Sequence, residues 1–224
     1  MTTALRLARA IDHTILKPDA TASMIETLCE EAIRYGFASV CVNPCFVEYV
    51  ASALRDSSVK VCTVIGFPLG ASASRIKALE ASNAIMGGAT ELDVVLSIGS
   101  LVAGDYRAVL DDIVTVISVA AARKVTSKVI IETCLLNYEQ KIAACGIVTE
   151  AGADFIKTST GFSTGGATLE DIKLLRANVG KRLKVKASGG IRDASFALAL
   201  MEAGAERIGT SSGVKMIDEL NKGE

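Results

Sequence analysis

Two ten-residue stretches of this chain, EAGADFIKTS (Glu150–Ser159) and EAGAERIGTS (Glu202–Ser211), are near copies of each other. Looser versions are RYGFASVCVN (Arg34–Asn43) and MGGATELDVV (Met86–Val95). Aligned on Gly36, Gly88, Gly152 and Gly204, each reads as a helix end, a glycine stop, a short link and a strand. Glycine just past a helix takes the left-handed cap that other residues disfavour. The glycines lie 52, 64 and 52 residues apart, about twice one strand-plus-helix unit, and repetition at such a period constrains architecture before any other feature does.

The gaps between the copies hold the alternate units. KVCTVIGF (Lys60–Phe67), KVIIETCL (Lys128–Leu135) and KVKASGG (Lys184–Gly190) are β-branched runs of strand length. The short IDHTIL run (Ile11–Leu16) supplies an eighth strand ahead of a first full helix over Ala22–Tyr35. Helix starts are marked by Asn137 with Gln140, by Thr168 with Asp171, and by Asp193, side chains that can accept from the unpaired N–H groups of a first turn. Strands alternating with helices form a parallel sheet. Eight units in 224 residues predict an α/β fold, a closed (β/α)8 TIM barrel over residues 1–224 as one domain, with a short extra helix at the N-terminus. A doubly wound open sheet is the alternative, and it leaves the paired-unit repeat without a reason.

Composition agrees where it bears on this. Half the residues are apolar but only 4% are aromatic, which suits a core of Ala, Val, Ile and Leu packed between helices and parallel strands. Basic and acidic residues number 24 and 25, so no broad charge footprint for nucleic acid or anionic lipid is expected. No apolar run has the length of a membrane span, and the first residues lack the apolar region of a signal peptide. A cytoplasmic protein is expected. The six cysteines form no C-x-x-C pair and read as small buried hydrophobes; with a single histidine, His13, no resident metal or other cofactor is expected.

The repeat also assigns facing. It places Cys41, Asp93, Lys157 and Gly209 at equivalent positions on even-numbered strands. Side chains alternate across a strand, so in TELDVVL the residues Leu92, Val94 and Leu96 face the helices while Glu91, Asp93 and Val95 face the interior. By the same alternation Lys184 and Lys186 point inward from strand seven and Lys157 opposes Ile156. One inward Asp–Lys pair reads as a structural salt bridge. Two lysines, Lys157 and Lys186, against Asp93 leave surplus positive charge that a purely structural network avoids, unless Glu132, read as inward on strand five, balances it.

An amine at its reference pKa of ~10.4 is under roughly 0.1% neutral at pH 7 and a poor nucleophile. A second ammonium ~6 Å away adds about 2.8 kcal/mol of repulsion at an effective dielectric of ~20, worth about two pKa units. That is how an imine-forming lysine is prepared, and the iminium then serves as an electron sink for making or breaking a carbon–carbon bond. Glycines recur just beyond the late strands: Gly161, then Gly189 and Gly190, then Gly209 with Ser211 and Ser212. Loops after strands seven and eight commonly bind phosphate in such barrels; plain tight turns are the other reading. An imine-forming enzyme acting on a small phosphorylated carbonyl compound accounts for both sets of residues.

At these residues the chain resembles the deoxyribose-phosphate aldolase family of class I aldolases. The resemblance runs along nearly the whole length through IDHTILKPDAT, VCVNP, VIGFPLGA, ELDVVL, IETCLL, FIKTSTGF and KASGGIR. It implies that Lys157 forms the Schiff base, that Lys186 assists it, and that Asp93 is the acid/base. It implies reversible cleavage of 2-deoxy-D-ribose 5-phosphate to D-glyceraldehyde 3-phosphate and acetaldehyde, and a homodimer or higher homo-oligomer. Gly189, Gly190, Ser211 and Ser212 match its phosphate loops, and Asp12 matches a residue near the second lysine. Ser97 departs from the family, which often has Asn there. Cys41 reads either as barrel filling or as a thiol open to reactive aldehydes. Rival readings are another class I aldolase or transaldolase, a phosphosugar isomerase or synthase, and a non-catalytic phosphometabolite-binding barrel.

Overall fold

Residues 2–223 are described by a computed structural model. Eight parallel strands pair in chain order and close: β1 (Ile11–Ile15), β2 (Ser39–Val42), β3 (Lys60–Ile65), β4 (Glu91–Val95), β5 (Thr126–Ile130), β6 (Phe155–Lys157), β7 (Lys184–Ser188) and β8 (Arg207–Thr210). Closure is made by β8 on β1, where Asp12 lies opposite Gly209. Helix α1 (Thr3–Ala8) precedes the first strand. The outer layer is α2 (Ala22–Tyr35), α3 (Val47–Ala53), α4 (Ser74–Met86), α5 (Ile98–Val102), α6 (Tyr106–Ala122), α7 (Tyr138–Glu150), α8 (Leu169–Asn178), α9 (Ala194–Glu202) and α10 (Gly213–Gly223). The predicted TIM barrel and extra N-terminal helix are therefore both present. Among the described residues no helix is long and apolar enough to cross a membrane.

The local signals act as their chemistry dictates. The four repeat glycines all have positive φ, from 66° at Gly36 to 117° at Gly204, a region where a Cβ is disfavoured. Asn137 and Gln140 form the reciprocal capping box of α7, and Asp193 caps α9 through the Phe196 N–H. Thr168 accepts from the Asp171 N–H, but Asp171 does not reciprocate, because its carboxylate takes Lys141 at 2.6 Å.

Strand five differs from expectation at both ends. It begins at Thr126, two residues earlier than the KVIIETCL run, and stops at Ile130. Glu132 lies beyond it with φ 55° and leads into a 3-10 turn over Thr133–Leu135. The shift puts Lys128 at mid-strand, opposite Asp93 and Phe155.

The main core lies between strands and helices, where Val40, Leu92, Val94, Val129, Ile156, Val185 and Ile208 meet residues such as Ile113, Val116 and Leu200. Each such side chain contributes about 1.5–3 kcal/mol by leaving water. Inside the barrel Leu16, Cys41, Cys62 and Val64, with Phe67 against them, form a separate apolar cluster. The opposite interior wall is charged. A buried lysine outside the barrel fastens the scaffold: Lys77 on α4 donates to Asp112 on α6 at 2.7 Å and to the Val95 carbonyl at the end of β4 at 2.9 Å.

Candidate active site

Asp93 projects from the centre of β4 into the barrel and is fully buried. Its Oδ2 accepts from Lys157 Nζ and from Lys186 Nζ, each at 2.6 Å. Its Oδ1 accepts from Lys128 Nζ at 2.8 Å. Strand register makes this possible, since Lys157 lies opposite Lys186 across β6 and β7 and Asp93 opposite Lys128 across β4 and β5. Three amines thus converge on one carboxylate, and Lys157, Lys186 and Asp93 are the predicted groups among them.

The expected charge balance needs correction. Lys186 also reaches Asp12 at 2.5 Å, and Lys128 reaches Glu91 at 2.7 Å. Arg207 bridges Asp12 and Glu91, with its Nη2 2.9 Å from Glu91 Oε2. Four cations therefore face three carboxylates, and the surplus is a single charge spread over a network rather than an unpaired second lysine. Glu132 is not the counter-charge. From its position past β5 it accepts from the Thr160 N–H, at 3.3 Å to each oxygen, and from the Thr160 hydroxyl, which holds the loop after Lys157.

The electrostatics follow from burial opposed by these pairs. Burial pushes the Asp93 carboxyl up, but Lys128, Lys157 and Lys186 outweigh it and hold it well below the carboxylate range. Asp12 is likewise pushed up by burial and held low overall by Lys186, Arg207 and Lys128. Burial disfavours the Lys186 ammonium, yet Asp12 and Asp93 keep it above the ordinary lysine value. The same holds for Lys128 through Asp93, Cys62 and Glu91. Two carboxylates thus favour the ammonium form of Lys186 beside Lys157.

Lys128, Glu91 and Arg207 are the residues that sequence reading did not assign to the site. The repeat carried a signal for two of them: two residues before Asp93, Lys157 and Gly209, on the same face of the strand, stand Glu91, Phe155 and Arg207. These form the next layer down, where Arg207 and Lys184 both lie over the Phe155 ring. Lys128 was hidden by the strand boundary.

The glycines divide. Gly161, Gly189 and Gly190 have positive φ in the loops beyond β6 and β7. A Cβ at Gly166 would lie 2.2 Å from the Gly189 carbonyl oxygen, so the two loops meet backbone to backbone at this point. Gly209 is inside β8 rather than in the loop after it; a Cβ there would meet Lys186 Cε at 3.2 Å, so its lack of a side chain makes room for the lysine. Ser211 and Ser212 lie at the head of α10, and the Ser212 N–H donates to Thr210 Oγ1 while that hydroxyl donates to the Ile191 carbonyl. They border a cavity of about 620 Å³ that also takes in His13, Glu31 and Lys215. His13 is turned away from the barrel interior and pairs with Glu31 at 2.7 Å, and burial lowers its pKa. Ser97 pairs with Ser100 at the head of α5, apart from the lysines.

Cys41 and Cys62 lie opposite one another on β2 and β3, both buried. Cys62 Sγ is 3.2 Å from Asp93 Oδ1. Cys45 and Cys134, read from sequence as buried, are exposed.

A closed parallel barrel with amines and carboxylates massed inside it, below loops of glycine and serine, defines a (β/α)8-barrel enzyme. The chain belongs to the DeoC/LacD aldolase family, whose description its residues 6–218 match, and is therefore an aldolase, a carbon–carbon lyase. It is 56% identical to deoxyribose-phosphate aldolase of Thermoanaerobacter sp. (strain X514), over 97% of this chain and 98% of that one. It is 57% identical to the protein of the same name from Brevibacillus brevis, over 95% and 96% respectively. Among solved structures, the tetrameric deoxyribose phosphate aldolase of Aeropyrum pernix superposes with a TM-score of 0.92 at 34% identity, covering 99% of this chain and 93% of that one.

Proposed function

We propose that this chain is a class I aldolase that reversibly cleaves 2-deoxy-D-ribose 5-phosphate to D-glyceraldehyde 3-phosphate and acetaldehyde. The observation that carries the reading is the shared oxygen of Asp93, 2.6 Å from both Lys157 and Lys186. In this reading the Lys157 amine attacks the C1 aldehyde of the open-chain sugar, and loss of water leaves an iminium. The iminium accepts the electron pair of the C2–C3 bond as that bond breaks, while the C3 hydroxyl loses its proton and becomes the aldehyde of glyceraldehyde 3-phosphate. The enamine left on Lys157 is protonated at C2, and hydrolysis releases acetaldehyde. Each step moves a proton, and the Asp93 oxygen that joins the two lysines is the relay point, with Lys186 as the acid beside it.

The phosphate is assigned to Gly161, Gly189, Gly190, Ser211 and Ser212. Backbone N–H groups at left-handed glycines and at the head of α10 suit an anion. Asp12 serves by orienting Lys186 through its 2.5 Å contact. The names carried by relatives more than half identical over nearly full length support this substrate. We read the protein as a single-domain cytoplasmic enzyme that assembles into a homo-oligomer; the tetrameric state of the Aeropyrum pernix enzyme supports the assembly.

Borohydride reduction in the presence of 2-deoxyribose 5-phosphate, followed by peptide mass spectrometry, tests the reading. A two-carbon adduct on Lys157 is expected. Folded protein that turns the sugar phosphate over without such an adduct would sink the imine mechanism, and turnover of a different phosphosugar alone would point to another aldolase of this class.

A further inference from the structure

The two thiols inside the barrel have no part in the lysine chemistry. Cys41 and Cys62 are register partners on β2 and β3, so their side chains leave the sheet side by side on its inner face. Their sulfurs and a carboxylate oxygen of Asp93 all lie within 4.8 Å of one another. We propose that Cys41, Cys62 and Asp93 form a binding site for a thiophilic divalent cation, zinc or cadmium, and that its occupancy shuts the enzyme off. The inhibitory half of the proposal rests on the aldolase reading above; the binding half does not.

Donor identity and geometry favour such an ion. Two thiolates and a carboxylate are three ligands of the set that holds zinc, at about 2.3 Å for sulfur and about 2.0 Å for oxygen. Ligands of a tetrahedral site with those bond lengths stand roughly 3.3–3.8 Å apart, and Cys62 Sγ is already 3.2 Å from Asp93 Oδ1. The remaining spans close by about an ångström of side-chain movement, and water takes the fourth position. Hard cations are disfavoured by the same donors.

Three ammonium groups face Asp93, those of Lys128, Lys157 and Lys186, and they would repel a bare dication. The thiols remove that obstacle. Binding releases one proton from each of Cys41 and Cys62, so a double positive charge enters as two leave and the net charge of the cluster is unchanged. Lys128 Nζ, 3.3 Å from Cys62 Sγ, stabilises the thiolate. Ligation through Oδ1 takes that oxygen from Lys128 and turns the carboxylate, and the metal's charge weakens the hold of Oδ2 on Lys157 and Lys186, which the reaction needs. Both cysteines are needed, since either alone offers one sulfur and no site.

The test uses the full chain carrying Cys45→Ser and Cys134→Ser, which removes the exposed thiols, reduced with a phosphine and titrated with cadmium. One equivalent should bind, with the ultraviolet thiolate-to-cadmium charge-transfer band and release of two protons. Aldolase turnover should fall at least tenfold in step with the band, and a chelator should restore it. Cys41→Ala, Cys62→Ala and the closer-fitting Cys62→Val should each abolish the band while circular dichroism reports a folded barrel. No band, or a band that persists in folded Cys41 and Cys62 variants, overturns the site. A band with turnover unchanged overturns the inhibition. A band in protein that never cleaves the sugar phosphate overturns the aldolase reading and leaves the metal site standing.

Discussion

Lys157 and Lys186, 29 residues apart in the chain, donate to one and the same oxygen, Asp93 Oδ2, at 2.6 Å each. Their amines are thus held no farther apart than twice that distance. Replacing the members of this trio should separate stability from activity. Lys186→Leu leaves three cations against three carboxylates, so the melting temperature should change little while turnover falls about 10²–10⁴-fold, the usual worth of a proton-transfer group. Asp93→Leu leaves four cations against two carboxylates, and breaking a buried pair in that way costs about 3–5 kcal/mol. Thermal melts and steady-state kinetics on both variants decide it; a stable Asp93→Leu protein would contradict the network described.

The pH dependence of stability has a definite sign. Asp12 and Asp93 have folded-state pKa values below those of the unfolded chain, so the unfolded state takes up protons first as pH falls. Their stabilisation is fully present above the unfolded value of ~3.9 and is lost below it, towards the lower folded values. Lys128 and Lys186 are raised in the folded state; their contribution is fully present below ~10.4 and is lost as pH rises through the raised folded values. Urea midpoints should be flat with respect to these groups from about pH 5 to 9 and fall on the acid side below about pH 4.

Lys77 is fully buried and paired with Asp112, whose other oxygen takes the Ser74 hydroxyl at 2.8 Å. Lys77→Met should destabilise by about 3–5 kcal/mol, because Asp112 is left as a buried unpaired charge. The double variant Lys77→Met, Asp112→Leu should recover most of that loss. Denaturant unfolding of the two single variants and the double closes the cycle, and additive losses would refute the pairing.

Glu132 holds Thr160 rather than the lysines. Glu132→Ala leaves the buried Thr160 N–H without its acceptor, at about 1–3 kcal/mol, and frees the loop that carries Gly161. The KM for the phosphorylated sugar should rise several-fold more than that for unphosphorylated 2-deoxyribose, with a smaller effect on kcat. Equal changes for both substrates would place its influence at the lysines instead.

Much of the barrel is written in short stretches of the chain. Positive-φ glycines, the Asn137 and Asp193 caps and β-branched runs act within a few residues, through backbone sterics and hydrogen bonds that sequence order alone specifies. Period-two alternation then suffices to turn Asp93, Lys157 and Lys186 inward. The partners of those charges were not legible, because they are set by strand register and barrel closure. A start for β5 two residues earlier than its apolar run brings Lys128 onto Asp93, and β8 closing on β1 brings Arg207 to Asp12, 195 residues away. Sequence by itself determined the (β/α)8 barrel and three of its inward charges. Only the tertiary structure decided that four cations share three carboxylates and that Cys41 faces Cys62, since Coulombic and coordination geometry depend on distances across the barrel that no local pattern records.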